Sequence, residues 1–144
     1  MNFMAYLFIS MTVAFASIGS KALPMSELEK FLKKSNKDEL PQRFNFQILK
    51  FVPGKVRLIP GAETEIKKVV SILQTFPKAK VKIEGFCDTT RFNEEENTIA
   101  TRRAMTVDQQ LVDRGIEQSR VSHEGKNNQD GPSRAQIDLI IEGI

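Results

Sequence analysis

In the stretch EGFCDTTRFNEEENTIATRRAMTV, residues 84–107, an aspartate, Asp88, closes an apolar alternation and an arginine, Arg103, follows fifteen positions later. A carboxylate and a guanidinium that converge on one point can hold a small zwitterion. The acid takes an ammonium, and the arginine takes a carboxylate through two parallel hydrogen bonds, a geometry that lysine does not offer. Two plainer fates stay open for the same residues: a direct Asp88–Arg103 ion pair, or Asp88 bonding the turn amides of Asp88-Thr89-Thr90. Catalysis finds less support. Cys87 and His123 are the single cysteine and the single histidine, with no motif around either. The sequence contains no paired carboxylates, metal-ligand cluster or activated nucleophile, so it reads as a non-enzyme without a cofactor.

The acid and the arginine need two elements to carry them. AKVKIEGF alternates Val81, Ile83 and Gly85 against Lys82 and Glu84 and predicts a strand that ends just before Asp88. Asn93, with Glu96 three residues on, predicts the start of a helix running to about Asp113 and closed by Gly115. At about 100° per residue, Ala100, Ala104, Val107 and Leu111 share a narrow arc, with Arg103 about 60° from its centre and Arg102 pointing away. Arg103 is therefore expected at the edge of the packed face, partly desolvated. Elsewhere, SELEKFLK (26–33) has capping-box spacing and predicts a short helix over a polar linker, free to dock on the domain or on a partner. FNFQILKF predicts a strand with one buried face that takes Phe44, Phe46 and Ile48, with Leu49 as a further candidate, and VRLIPG a second extended piece. Residues 62–75 predict a helix burying Ile66, Val69, Val70 and Leu73, while RVSHEG and AQIDLIIEG predict two last strands. The order β-α-β-α-β-β predicts an α+β sandwich, with two main helices on one face of a mixed sheet. The crossover through the long helix predicts a parallel pair, and the last strand is expected to close a hairpin.

The chain has 144 residues, 40% hydrophobic and 27% charged, with a net charge of +3 spread over 21 basic and 18 acidic residues. That balance fits one globular domain and argues against nucleic acid, which calls for a clustered basic stripe. Residues 1–22 stand apart, carrying one charge, Lys21, and an apolar run from Phe3 to Ile18. They read as an export signal cut after Ala16 or Ala22, with an uncleaved membrane anchor as the alternative. Residues 23–43 then form the short helix and linker, and residues 44–144 the domain. A lone cysteine allows no internal disulfide, and none lies near residues 16–24 to carry a lipid.

The same residues resemble the peptidoglycan-binding OmpA C-terminal-like family. In that family a strand ends in Gly-[His/Tyr]-Thr-Asp, and the following helix carries Arg-Ala-x-x-Val with the Asp and Arg fifteen apart. Gly85-Phe86-Cys87-Asp88 and Arg103-Ala104 through Val107 match, as do Leu111, Gly115-Ile116, Arg120-Val121, Gly125 and Pro132 further on. The resemblance covers residues 44 to 142. It implies non-covalent binding of the diaminopimelate of a peptidoglycan stem peptide, with Asp88 on its ammonium and Arg103 on its carboxylate. Thr89, Glu96 and Arg134 are the neighbouring candidates. It further implies a periplasmic domain, associated with the wall or outer membrane, that tethers an envelope protein complex. The chain departs from the pattern where Cys87 replaces Thr, Arg91 replaces Gly, Glu96 replaces the helix-start Asn, and Ala135-Gln136 replace two arginines, with Arg134 shifted along. Each lost or opposed charge contact in a wet site weakens binding by about 1 kcal/mol. The competing reading is a scaffold that keeps the fold and works through protein contacts.

Overall fold

Ile66, Val69, Val70 and Leu73 are all buried, as their spacing requires, along one stripe of helix α2 (Ala62–Thr75). The structure, a computed structural model, describes residues 22–46, 48–87, 94–126 and 136–144, and of Glu96 the backbone only. The remaining elements are strands β1 (Leu23–Pro24), β2 (Gln42–Asn45), β3 (Lys80–Phe86), β4 (Val121–Lys126) and β5 (Ile137–Gly143), and helices α1 (Leu28–Lys34) and α3 (Glu94–Asp113). Together they make an α+β fold with a mixed sheet of order β1-β2-β5-β3-β4.

The helices lie on one face. Ring centroids of Phe31 in α1 and Phe44 in β2 meet edge-on at 5.4 Å, and Leu28, Phe31 and Leu32 join the common core, so α1 docks on the domain. The helix opens differently from the capping-box expectation: Met25–Glu27 form a single 3-10 turn, and the N-cap Glu27 makes no side-chain bond. Helix α3 rests on β3 and β4 through two glycines. A Cβ built on Gly85 would lie 2.8 Å from the Ala104 amide nitrogen, and one on Gly125 would lie 2.7 Å from that of Thr101. Only a residue without a side chain permits this approach. Gly115, at φ 104°, closes α3 in the left-handed region as expected. At the end of α2, Arg120 donates to the carbonyls of Leu73 (2.8 Å), Phe76 (2.8 Å) and Ala79 (3.0 Å), satisfying orphan groups that the helix leaves behind.

β3 and β4 pair in parallel across α3, as the crossover predicts. The last strand does not form a hairpin with β4. β5 runs antiparallel between β2 and β3, and its residues Ile137–Ile141 are all buried. The reason lies in its composition: Ile-Asp-Leu-Ile-Ile is nearly continuous apolar chain, which belongs in a central position covered on both faces, whereas the exposed Ser122, His123 and Glu124 suit β4 to an edge.

On the sheet face away from the helices, Arg43 binds two buried acids, Glu84 at 2.6 Å and Asp138 at 2.8 Å. Burial pulls the Arg43 guanidinium down, but its bonds to Asp138 and Glu84 outweigh this and hold it above its ordinary value.

The segment after β2 also corrects the expected pattern. β2 ends at Asn45, Ile48 is 50% exposed, and of the two candidate positions it is Leu49 that is buried. Buried Glu65 of α2 accepts the amides of Ile48 (2.8 Å) and Leu49 (2.5 Å), drawing both out of any strand ladder. The chain then makes a small hairpin, with a Phe51–Leu58 bridge closed by Val52 N–H donating to Arg57 O (2.7 Å) and Ile59 N–H to Lys50 O (2.9 Å).

Candidate functional site

Arg103 leaves α3 beside Ala104, at the point where Gly85 lets the helix touch the sheet. Its neighbours on the arc, Ala100, Ala104, Val107 and Leu111, are fully buried, and Arg102 is exposed. Arg103 itself is 0% exposed, not partly wetted at an edge as its helical angle predicts. An angular argument treats the sheet as flat. Here the hairpin of residues 51–58 adds a wall along the edge of α3, and the arginine lies against it.

The guanidinium joins two distant segments. Nη1 donates to Phe86 O at 2.9 Å, at the end of β3, while Nε donates to Lys55 O at 3.0 Å and Nη2 to Val52 O at 3.4 Å in the hairpin. Its central carbon also lies 5.2 Å from the centre of the Phe51 ring, within the range of a cation–π contact. Five donors in a fixed plane suit arginine to such bridging, and the three carbonyls compensate part of the cost of burying its charge. Gln136 ties the same corner together: its side-chain oxygen accepts the Phe51 amide at 2.6 Å and its backbone carbonyl accepts Phe86 N–H at 2.9 Å. An arginine at 136, as the family pattern expects, has no acceptor to offer that amide.

Asp88, Thr89 and Arg134 lie outside the described residues, and so does the Glu96 side chain, although its backbone is in the first turn of α3. Of the five candidates, Arg103 is the one whose side chain is described. It reaches the carbonyl of Phe86, two residues before Asp88. Sequence reasoning missed the hairpin carbonyls of Val52 and Lys55, the Phe51 ring and Gln136. No spacing rule links a loop near residue 54 to a helix near residue 103. The local sign was Pro53-Gly54 between two short apolar runs, which marks a turn without saying what it covers.

The single cysteine and the single histidine have structural surroundings. Cys87 is buried, and His123 Nδ1 lies 2.6 Å from Asp108 Oδ2, linking β4 to α3.

A model of the OmpA family matches residues 50–138, more than half of the chain. The periplasmic domain of Helicobacter pylori MotB is similar in structure, with a TM-score of 0.60 at 15% identity over 72% of this chain and 81% of that one. A putative MotB-like protein from Desulfovibrio vulgaris gives a TM-score of 0.59 at 19% identity, covering 81% and 87% respectively. The peptidoglycan-associated lipoprotein from Burkholderia pseudomallei gives 0.55 at 13% identity, covering 65% and 86%. At these identities the likeness is one of fold. A search of curated proteins finds no match.

Proposed function

The chain belongs to the OmpA family, and from that premise we propose that it is a non-catalytic periplasmic domain that binds peptidoglycan and tethers an envelope or secretion-type assembly to the wall. Residues 1–22 act as its export signal, residues 23–43 lead in, and residues 44–144 carry the binding site. The ligand is the diaminopimelate of the stem peptide, whose ammonium meets Asp88 and whose carboxylate is drawn by Arg103. Thr89, Glu96 and Arg134 border the same site.

The single observation that supports this reading is the 2.9 Å bond from Arg103 Nη1 to Phe86 O. It puts the guanidinium at the carboxyl end of β3, where the chain goes on to Asp88. The covered guanidinium acts as the floor of the site. From there its charge works in a low-dielectric setting, where attraction for a carboxylate is several-fold stronger than in water. The periplasmic domain of MotB and the peptidoglycan-associated lipoprotein add weight through shared fold.

Retention of the purified chain on isolated diaminopimelate-type sacculi tests the reading. The wild type is expected to sediment with the wall, and Asp88→Ala and Arg103→Ala to stay in solution. Arg103→Ala is scored only after circular dichroism shows it folded; Asp88→Ala tests the site from the other side. Retention unaffected by either change would favour the scaffold that works through protein contacts.

A further inference from the structure

We propose that Lys55 is a ligand-contacting residue of this site, the exposed cation that meets a stem-peptide carboxylate above the buried Arg103. The inference rests on the wall-binding reading and names a residue which that reading does not contain. It starts from a mismatch. Arg103 is the arginine of the candidate pair, yet it is 0% exposed and gives N–H groups to three backbone carbonyls. A carboxylate arriving from solvent meets other atoms first. Among the atoms that cover the arginine is the backbone of the hairpin, and Arg103 Nε is bonded to the carbonyl of Lys55 itself, at 3.0 Å. The Lys55 side chain thus starts beside the guanidinium, and it is exposed.

The hairpin is built to hold that lysine in place. Gly54 turns the chain at φ 66°, and Lys55 N–H donates to Val52 O at 2.9 Å. Val52 N–H donates to Arg57 O at 2.7 Å, and Phe51 is fixed by Gln136. The backbone that carries the lysine is thus ordered before binding, so only the rotamers of its side chain remain to be fixed by a ligand. Among the described residues the lysine's charge is not engaged. Lys30, Lys33, Lys82 and Lys126 each lie within 4.0 Å of a carboxylate, whereas the Lys55 ammonium forms no ion pair with a described residue. Lys55 and Arg103 together then offer one carboxylate a cation from above and a cation from beneath. A compact ammonium needs no fixed plane to do this, so lysine suffices where the partner approaches from solvent.

The test is retention of the full chain on isolated diaminopimelate-type sacculi at low and moderate salt, comparing Lys55→Gln and Lys55→Glu with Lys67→Glu. Lys67 is exposed on α2, so its reversal makes the same change in net charge away from the site. Loss of one charge contact is expected to weaken binding by about five-fold in Lys55→Gln, and reversal by about ten-fold or more in Lys55→Glu, with Lys67→Glu within about two-fold of the wild type. Unchanged thermal melting in the Lys55 variants confirms that binding alone has moved. If the wild type is retained and Lys55→Glu is retained equally well, the role of Lys55 is overturned and the wall reading stands. A loss in Lys67→Glu equal to that in Lys55→Glu also overturns it, because the effect is then one of net charge. If the wild type is not retained at all, the wall reading fails and this inference falls with it.

Discussion

Replacing Gly85 by alanine probes the contact on which the position of Arg103 depends. A methyl group at 85 would sit 2.1 Å from Ala100 O, which is 1.3 Å short of the 3.4 Å at which ordinary contact begins, and 2.8 Å from Ala104 N. Both obstacles are helix backbone, so neither can rotate aside. Helix α3 must retreat by about an ångström, and Arg103 moves with its neighbour Ala104. Its 2.9 Å bond to Phe86 O then stretches past hydrogen-bond reach. Overpacking of this kind costs about 1–3 kcal/mol, and losing a hydrogen bond from a charged donor adds about 1.5–3 kcal/mol. Together they give a loss of about 2.5–6 kcal/mol, a large share of the ~5–15 kcal/mol that holds a domain of this size folded. Urea unfolding followed by far-ultraviolet circular dichroism reads it directly: at a slope of about 2 kcal/mol per molar, the midpoint falls by about 1.2 M or more. Gly54→Ala is the companion variant, since nothing lies within 4 Å of its added methyl and only the φ of 66° opposes it, a cost of about 1 kcal/mol. A loss below about 1 kcal/mol in Gly85→Ala would refute the claim that this glycine sets the distance between helix and sheet.

Glu65→Ala removes the acceptor of two amides, those of Ile48 and Leu49, and is expected to cost about 2–4 kcal/mol in urea unfolding. Glu65→Gln, which keeps an acceptor oxygen, should lose about half as much. Arg120→Ala removes a donor from the carbonyls of Leu73, Phe76 and Ala79, of which Phe76 keeps the Ala79 amide at 3.1 Å, with an expected loss of about 1–3 kcal/mol; hydrogen exchange should locate the loosening in the last turn of α2. Lys82 carries a pH signature. Burial pulls its ammonium down, but Glu84, Glu124 and Glu142 outweigh that and hold it above its ordinary 10.5. A raised value means that the fold favours the charged form. The stabilisation is therefore complete below pH 10.5 and disappears as the pH climbs through the higher folded value. Lys82→Met should be less stable than the wild type at neutral pH, with the gap closing in strong alkali; a gap that stays constant would show that packing, not charge, is responsible.

The sequence alone carried the elements whose signals are local. The apolar stripes of α2 and α3, the glycine that ends α3 and the parallel pairing of β3 with β4 follow from periodicity and connection length, because each depends on residues near one another in the chain. The place of β5 was half legible. Its run Ile137-Asp138-Leu139-Ile140-Ile141 is that of a covered strand, but the pull of a hairpin between successive strands points to the wrong neighbour. Which of Ile48 and Leu49 turns inward was hidden, since the carboxylate that decides it stands seventeen residues from Ile48 on α2. The candidate pair itself was read from spacing: an acid ending a strand and an arginine on the next helix. What the amino acids fixed unaided was the identity of these groups and the elements that bear them. Tertiary structure alone decided what the arginine touches. Its burial arises where two glycines draw α3 onto the sheet and a hairpin from residues 51–58 closes over its edge, and such meetings of remote surfaces leave no periodic trace in the chain.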